Sequence, residues 1–244
     1  FGSSLMPIGI MTSQEGQVLV VQCWDDGVVD DLRLAELLRK YGARATFNIN
    51  PGLHQSERTK HFVHQGKAVI RLGWGEMLEA YRGFTIGNHS MSHPPLTAVS
   101  AEEAYREIAD ARTKLREFFG QPILGFAYPF GAWNKEVMQL IRDTGHVYAR
   151  TVQNAERAFP PEDPMAFHPC CHFLADDFWE RLAKAKETGV FYFWGHSYEL
   201  MDESMWAEFE ATIQRISEDP ACRWGELTDL FPERSMDPSP CGGG

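Results

Sequence analysis

Residues 16–27 read GQVLVVQCWDDG. Val18, Leu19, Val20 and Val21 form a short apolar run rich in β-branched residues, the mark of a strand buried on both faces. The run ends abruptly in Asp25, Asp26 and Gly27, and an amphipathic helical pattern follows. Two adjacent carboxylates at the C-terminal end of a buried strand make a poor core. They make a good site, because parallel α/β folds place their ligands at that edge. Taken alone, Asp-Asp-Gly is also an ordinary turn with a helix cap, so the downstream sequence has to decide.

Outward from this stretch, Val28, Leu32, Leu34, Leu37, Leu38 and Tyr41 suit a helix that stops at Gly42. Ala45–Asn50 reads as a second strand. Residues 53–73, polar and His-rich, read as a long surface loop of the kind that shapes substrate binding. A short helix around Trp74–Arg82 leads to a strand at Phe84–Asn88. Ser100 with Glu103 forms a capping box for a helix ending at Gly120. Further strands are expected at Leu124–Tyr128, Val147–Arg150 and Val190–Trp194, with a short extended piece at Phe167–Phe173 and a final strand or short terminal element at Cys222–Leu230. Helices are expected at Lys135–Asp143, Asp176–Glu187 and Met205–Ser217. Strands and helices alternate without a linker or repeat, which favours one parallel α/β domain. About seven strand-like runs suit a distorted or incomplete (β/α) barrel better than an open dinucleotide-binding sheet. Residues 1–16 are read as an N-terminal extension, 17–234 as the domain, and 235–244 as a disordered tail.

The 244 residues carry 34 acidic and 23 basic side chains, a net charge of −11. No Lys/Arg cluster offers a phosphate footprint, so nucleic acid is not an expected partner. No apolar stretch is long enough for a membrane span. Neither GxGxxG nor GxxxxGK[ST] occurs, so nucleotide binding has no support. The N-terminal FGSSLMPIG lacks the regions of a signal peptide, although a processed precursor would look the same. Five cysteines without CxxC spacing read as reduced packing thiols, which leans the expected compartment towards the cytoplasm.

Three further strand ends carry polar chemistry. His89-Ser-Met-Ser-His93 precedes Pro94-Pro95, so the two histidines sit on one tight turn and can aim both rings at one point. With a carboxylate from the first strand they make a His, His, Asp set, suited to a hydrolytic metal site with open positions. Sulfur is absent from the set, so zinc, cobalt, nickel, manganese and iron all remain open. Tyr128-Pro-Phe130-Gly131 forces an irregular turn that can point a backbone N–H at the site as an oxyanion donor. His196, just past an apolar strand, suits general-acid work.

DDG, then HSxxH, then a Pro-aromatic-Gly turn, then a strand-terminal His closely resembles the polysaccharide deacetylase family, a group of metal-dependent carbohydrate esterases. The resemblance runs from about Val18 to His196. It implies that Asp26, His89 and His93 hold one divalent metal ion, with zinc preferred. Asp25 is then the general base, the Phe130 N–H helps to stabilise the oxyanion, and His196 protonates the leaving group. Alternation of adjacent residues at a strand end would put the two carboxylates on opposite sides, one to ligate and one to act as base.

Three departures from the family pattern matter. The family often carries an arginine before the Pro-aromatic-Gly turn, where Ala127 and Tyr128 stand here; Arg150, ending the next strand, is the expected substitute. The usual Asp partner of the acid histidine is also missing, leaving Glu199, Asp176 and Asp177 as candidates. Cys23-Trp24 replaces the common Thr/Ser-Phe. The implied substrate is an acetylated oligo- or polysaccharide, N-acetyl amino sugars first. O-acetyl esters of xylan type, another C–N amide, or a non-catalytic carbohydrate-binding role are the alternatives. His168, Cys170, Cys171 and His172 could be read as a second metal site, although adjacent cysteines chelate poorly. Trp74, Trp133 and Trp194 could stack on sugar rings, but packing is the commoner role of tryptophan.

Overall fold

The structure, a computed structural model, describes residues 16–232. The expected extension before Gly16 and the expected tail after Arg234 therefore lie outside the described residues. All eight residues of β1 (Val18–Asp25) are buried. It sits at the centre of a parallel sheet with β2 (Thr46–Ile49), β5 (Thr85–Asn88), β6 (Gly125–Ala127) and β7 (Tyr148–Arg150) to one side. β9 (Val190–Gly195) and β8 (Cys171–His172) lie on the other. The seven strands on that path match the number of strand-like runs expected, and the short β10 (Cys222–Trp224) is an eighth, pairing with the first half of β1. The sheet curls, and β7 makes one isolated parallel bridge, Arg150 with Phe167, to the segment that leads into β8, so the barrel is distorted and incomplete.

Register explains why chemistry collects at one end. Asp25 lies beside Asn48, Ile49 beside Asn88, Asn88 beside Phe126, Ala127 beside Arg150 and Trp24 beside Gly195. Because every pairing is parallel, the last residue of each strand falls at the same level, and the following residue enters the cleft. Trp24 packs the core beneath this level, with ring centroids 5.0 Å from Phe173 and 5.3 Å from Phe209.

The helices cover the outside: α1 (Asp30–Lys40), α2 (Trp74–Ala80), α3 (Ala101–Phe119), α4 (Lys135–Asp143), α5 (Phe178–Thr188) and α6 (Glu203–Glu218). Their caps are those the sequence advertises. Ser100 accepts from the Glu103 N–H, and Gly120 closes α3 at φ 64°. α6 begins earlier than its apolar pattern because Asp202 caps it.

One expectation is corrected. Residues 53–73 are not a loop throughout: β3 (Thr59–His64) and β4 (Lys67–Arg71) form an antiparallel hairpin. Its tip, Gln65-Gly66, has positive φ at both residues (45° and 89°), the geometry favoured in two-residue hairpin turns. The hairpin docks on the β1–α1 connection through Val29 N–H to Ile70 O (2.8 Å) and Leu72 N–H to Gly27 O (3.0 Å). One face stays in water, which is why its composition reads as a loop.

Asp31 knots three elements beneath the cleft. Fully buried, it accepts from the Val28 N–H (3.1 Å), the Tyr81 hydroxyl (2.6 Å) and the Ser197 hydroxyl. Burial outweighs these bonds and pushes its pKa up to about 7. A carboxyl raised above its unfolded value stabilises the fold most when protonated, so this contribution is lost as pH rises from about 4 through 7. Urea unfolding at pH 5 and pH 8 should therefore show Asp31→Asn removing a pH-dependent loss on the order of 2–4 kcal/mol from the wild-type difference. Identical pH dependence in both proteins would mean that Asp31 titrates like an exposed carboxyl.

Candidate active site

Asp25 ends β1, 2% exposed. Asn48 Nδ2 donates to its Oδ1 at 2.8 Å, and the buried Arg150 guanidinium donates to its Oδ2. Burial opposes the charge, but Arg150, His89 and His196 together with the Asn48 bond outweigh it, holding the carboxyl well below the usual carboxylate range. Arg150 thus reaches Asp25 from a different strand, at the position where the sequence suggested it could substitute.

Asp26 leaves the sheet at once, with φ 86°. That left-handed backbone is costly for a non-glycine residue. It also changes the expected arrangement: the two carboxylates do not stand on opposite sides but converge. Asp25 Oδ2 lies 3.9 Å and Asp26 Oδ2 4.0 Å from His196 Nε2. Arg71, at the end of the hairpin, is 1% exposed and clamps the turn by donating to the Asp26 carbonyl, with a weaker 3.5 Å contact to Asp26 Oδ1. Against the cost of burial, His196, His89, Arg71 and His93 keep the Asp26 pKa low.

His89 and His93 meet as the turn requires. Ser90 and His93 both have positive φ (64° and 63°), and the Ser90 hydroxyl accepts from the His93 N–H at 3.0 Å. His89 Nδ1 donates to the Ala127 carbonyl at 2.8 Å, which leaves Nε2 without a proton and facing the cleft. The two Nε2 atoms stand 3.2 Å apart. That matches the separation of about 3.3 Å set by two ring nitrogens on one tetrahedral zinc ion. One ligand atom each from Asp26, His89 and His93 lies within 4.8 Å of the others. Burial and the neighbouring His89 push His93 down to about 4, and burial likewise lowers His89. Both rings are therefore neutral at pH 7, the form that ligates. The donor set fits a divalent cation.

His196 faces them from the end of β9. Its Nδ1 donates to Glu199 Oε2 at 3.2 Å, and the same oxygen accepts its backbone N–H at 2.9 Å. Burial lowers its pKa, but the Glu199 bond with Asp25 and Asp26 raises it further, for a net upward shift. Glu199 is thus the carboxylate beside His196, whereas Asp177 is taken by Arg181. Phe130, with φ 56° and 69% exposed, lays its ring 4.5 Å from that of His93. All seven residues singled out in the sequence gather around this cleft.

Other readings resolve as packing. His168 bonds Thr151, and Cys170 Sγ accepts the Tyr192 N–H, so the group read as a possible second metal site does not assemble. The described cysteines, Cys23, Cys170, Cys171 and Cys222, are all free and buried. Trp194 lies under the Arg150 guanidinium at 4.5 Å, and Trp74 packs on Phe118. Arg71 and Asn48 escaped the sequence reading, because nothing local marks a strand-end polar residue whose partner lies on another strand. The i, i+3 spacing of His196 and Glu199 was the one available signal for that pair.

Among the described residues, no helix is long and apolar enough to cross a membrane. The chain is 26% identical over 117 residues to an uncharacterised 30.6 kDa protein of Geobacillus stearothermophilus, covering 47% of this chain and 38% of that one. It is 31% identical over 64 residues to a chitooligosaccharide deacetylase of Azorhizobium caulinodans, covering 26% and 30%. It therefore spans well under half the length of either curated relative. Among solved structures, the Xyl-CE4 domain of a multidomain xylanase from the hindgut metagenome of Trinervitermes trinervoides shares the fold. That match has a TM-score of 0.58 at 17% identity over 91% of this chain and 93% of that one. The polysaccharide deacetylase family profile matches residues 12–149, more than half of the chain, and the protein belongs to that family.

Proposed function

We propose that the protein is a metal-dependent hydrolase that removes acetyl groups from carbohydrate, N-acetyl amino sugars first. The observation that carries this reading is the meeting of three ligand atoms from Asp26, His89 and His93 with a second, separately held carboxylate and an acid-side histidine. The stretch shared with the chitooligosaccharide deacetylase supports the N-acetyl preference.

Asp26, His89 and His93 would hold the cation, zinc suiting two imidazoles and a carboxylate best. When bound, it supplies a Lewis acid that polarises the acetyl carbonyl and makes a coordinated water more acidic. Asp25, kept ionised by Arg150, takes a proton from the attacking water. Asn48 and Arg150 hold both of its oxygens, so the carboxylate meets the water in a fixed orientation. The Phe130 N–H donates to the oxyanion. His196, whose imidazolium form Glu199 and the two aspartates favour against the cost of burial, gives its Nε2 proton to the departing amine, and the C–N bond breaks. One proton has then passed to Asp25 and one from His196, so the immediate products are acetic acid, which ionises to acetate in water, and the free amine.

Acetate release from N-acetylated chitooligosaccharides should exceed that from O-acetylated xylo-oligosaccharides, vanish with a chelator and return with zinc. Glycan binding without release of acetate from either substrate would favour the non-catalytic reading. Metal analysis of purified variants separates the carboxylates. Asp26→Ala and His93→Ala should lose the ion, while Asp25→Asn should retain it and drop kcat by about 10²–10⁴-fold. Full metal occupancy in Asp26→Ala would overturn the ligand assignment. Arg150→Ala should lower kcat/KM by at least about 10-fold with circular dichroism unchanged; an unaltered kcat/KM would remove Arg150 from the site.

A further inference from the structure

We propose that His172 is a positioning residue for His196, acting through Glu199; this rests on the hydrolase reading above. Glu199 Oε2 gathers three donors: the His196 N–H (2.9 Å), His196 Nδ1 (3.2 Å) and His172 Nε2 (2.9 Å). The Leu174 N–H donates to His172 Nδ1 at 3.3 Å, so the ring proton of a neutral His172 must sit on Nε2, aimed at Glu199. The tautomer is thus set by backbone.

The placement of His172 is equally constrained. It lies on β8 in register with Trp194 of β9, and the two rings meet edge-on at 4.9 Å. Trp194 in turn lies beneath the Arg150 guanidinium, which holds Asp25. A side chain at position 195 could not be accommodated: a Cβ there would stand 2.1 Å from the Phe173 ring and 3.3 Å from His172 Nε2. Glycine lets β8 approach closely enough for the imidazole to reach over β9. An unbroken chain of contacts therefore runs Asp25, Arg150, Trp194, His172, Glu199, His196, joining the proton-accepting side of the cleft to the proton-donating side.

The physical role follows from the single shared oxygen. The Glu199 and His172 side chains are 19% and 25% exposed, so water competes for the carboxylate. A second donor on Oε2 restricts the Glu199 rotamer and with it the direction in which His196 presents Nε2. It also keeps Glu199 ionised, so the carboxylate accepts the Nδ1 hydrogen bond without carrying off the proton.

The test compares His172→Leu, which removes the donor, with His172→Gln, whose amide restores one. In the zinc-loaded protein, with chitooligosaccharide as substrate, His172→Leu should lower kcat about 10- to 100-fold with KM within about 2-fold and zinc content unchanged. His172→Gln should recover most of the loss. A second readout needs no turnover: the long-range ¹H–¹⁵N spectrum should show the hydrogen-bonded Nδ1–H signal of His196 in wild type and His172→Gln, shifted or lost in His172→Leu. Wild type inactive on every acetylated glycan but with that spectral pattern intact would sink the hydrolase reading and leave the positioning role standing. An unchanged His196 signal in His172→Leu would overturn the positioning role, whatever the activity. So would a second equivalent of zinc bound by wild type and lost in both variants, which would make the cluster a metal site.

Discussion

The buried pair between Asp25 and Arg150 is the constraint on which the arrangement of the cleft depends. The two side chains are 2% and 1% exposed, and they connect the central strand to a strand at the far edge of the curled sheet. Such a pair is a weak source of stability, since desolvating two charges offsets most of their attraction. Its effect is instead on charge and direction. It holds a carboxylate ionised in a place where burial alone would neutralise it, and it ties the curl of the sheet to the position of that carboxylate.

Around this pair the cleft sorts its ionisable groups by environment. Asp25 and Asp26 are held low, His89 and His93 are held neutral by burial, and His196 is pushed up by the carboxylates around it. Neighbouring groups whose pKa values are driven apart are the pattern expected where acid and base chemistry share one site. Backbone strain gathers here too: Asp26, Ser90, His93 and Phe130 are four of the five non-glycine residues with positive φ among those described. The fifth is the hairpin tip. Each strained residue of the cleft follows a strand end, where the chain has to turn sharply inward.

The hairpin is the part of the site that composition concealed. Its exposed face mixes polar residues with Val63 and its Gln-Gly tip is a weak turn signal, so 53–73 reads as loop. Yet it delivers Arg71, which holds the Asp26 carbonyl and so the left-handed turn. The same limit applies to Asn48, which is an ordinary strand residue until its neighbour in the sheet is known. Glu199 stood among three acidic candidates, and only the fold shows which oxygen faces His196.

The sequence by itself determined the parallel α/β class, because apolar β-branched runs and amphipathic helices alternate along it, and local backbone physics reads those periods directly. It also marked Asp25, Asp26, His89, His93, Phe130 and His196, since each interrupts a strand end with a residue that a core does not need. Only the tertiary structure decided how these residues meet: the convergence of the two carboxylates, the partner of each, the hairpin clamp, and the link from His172 to His196. Those facts depend on strand order and register, which bring together residues far apart along the chain. No local pattern encodes that.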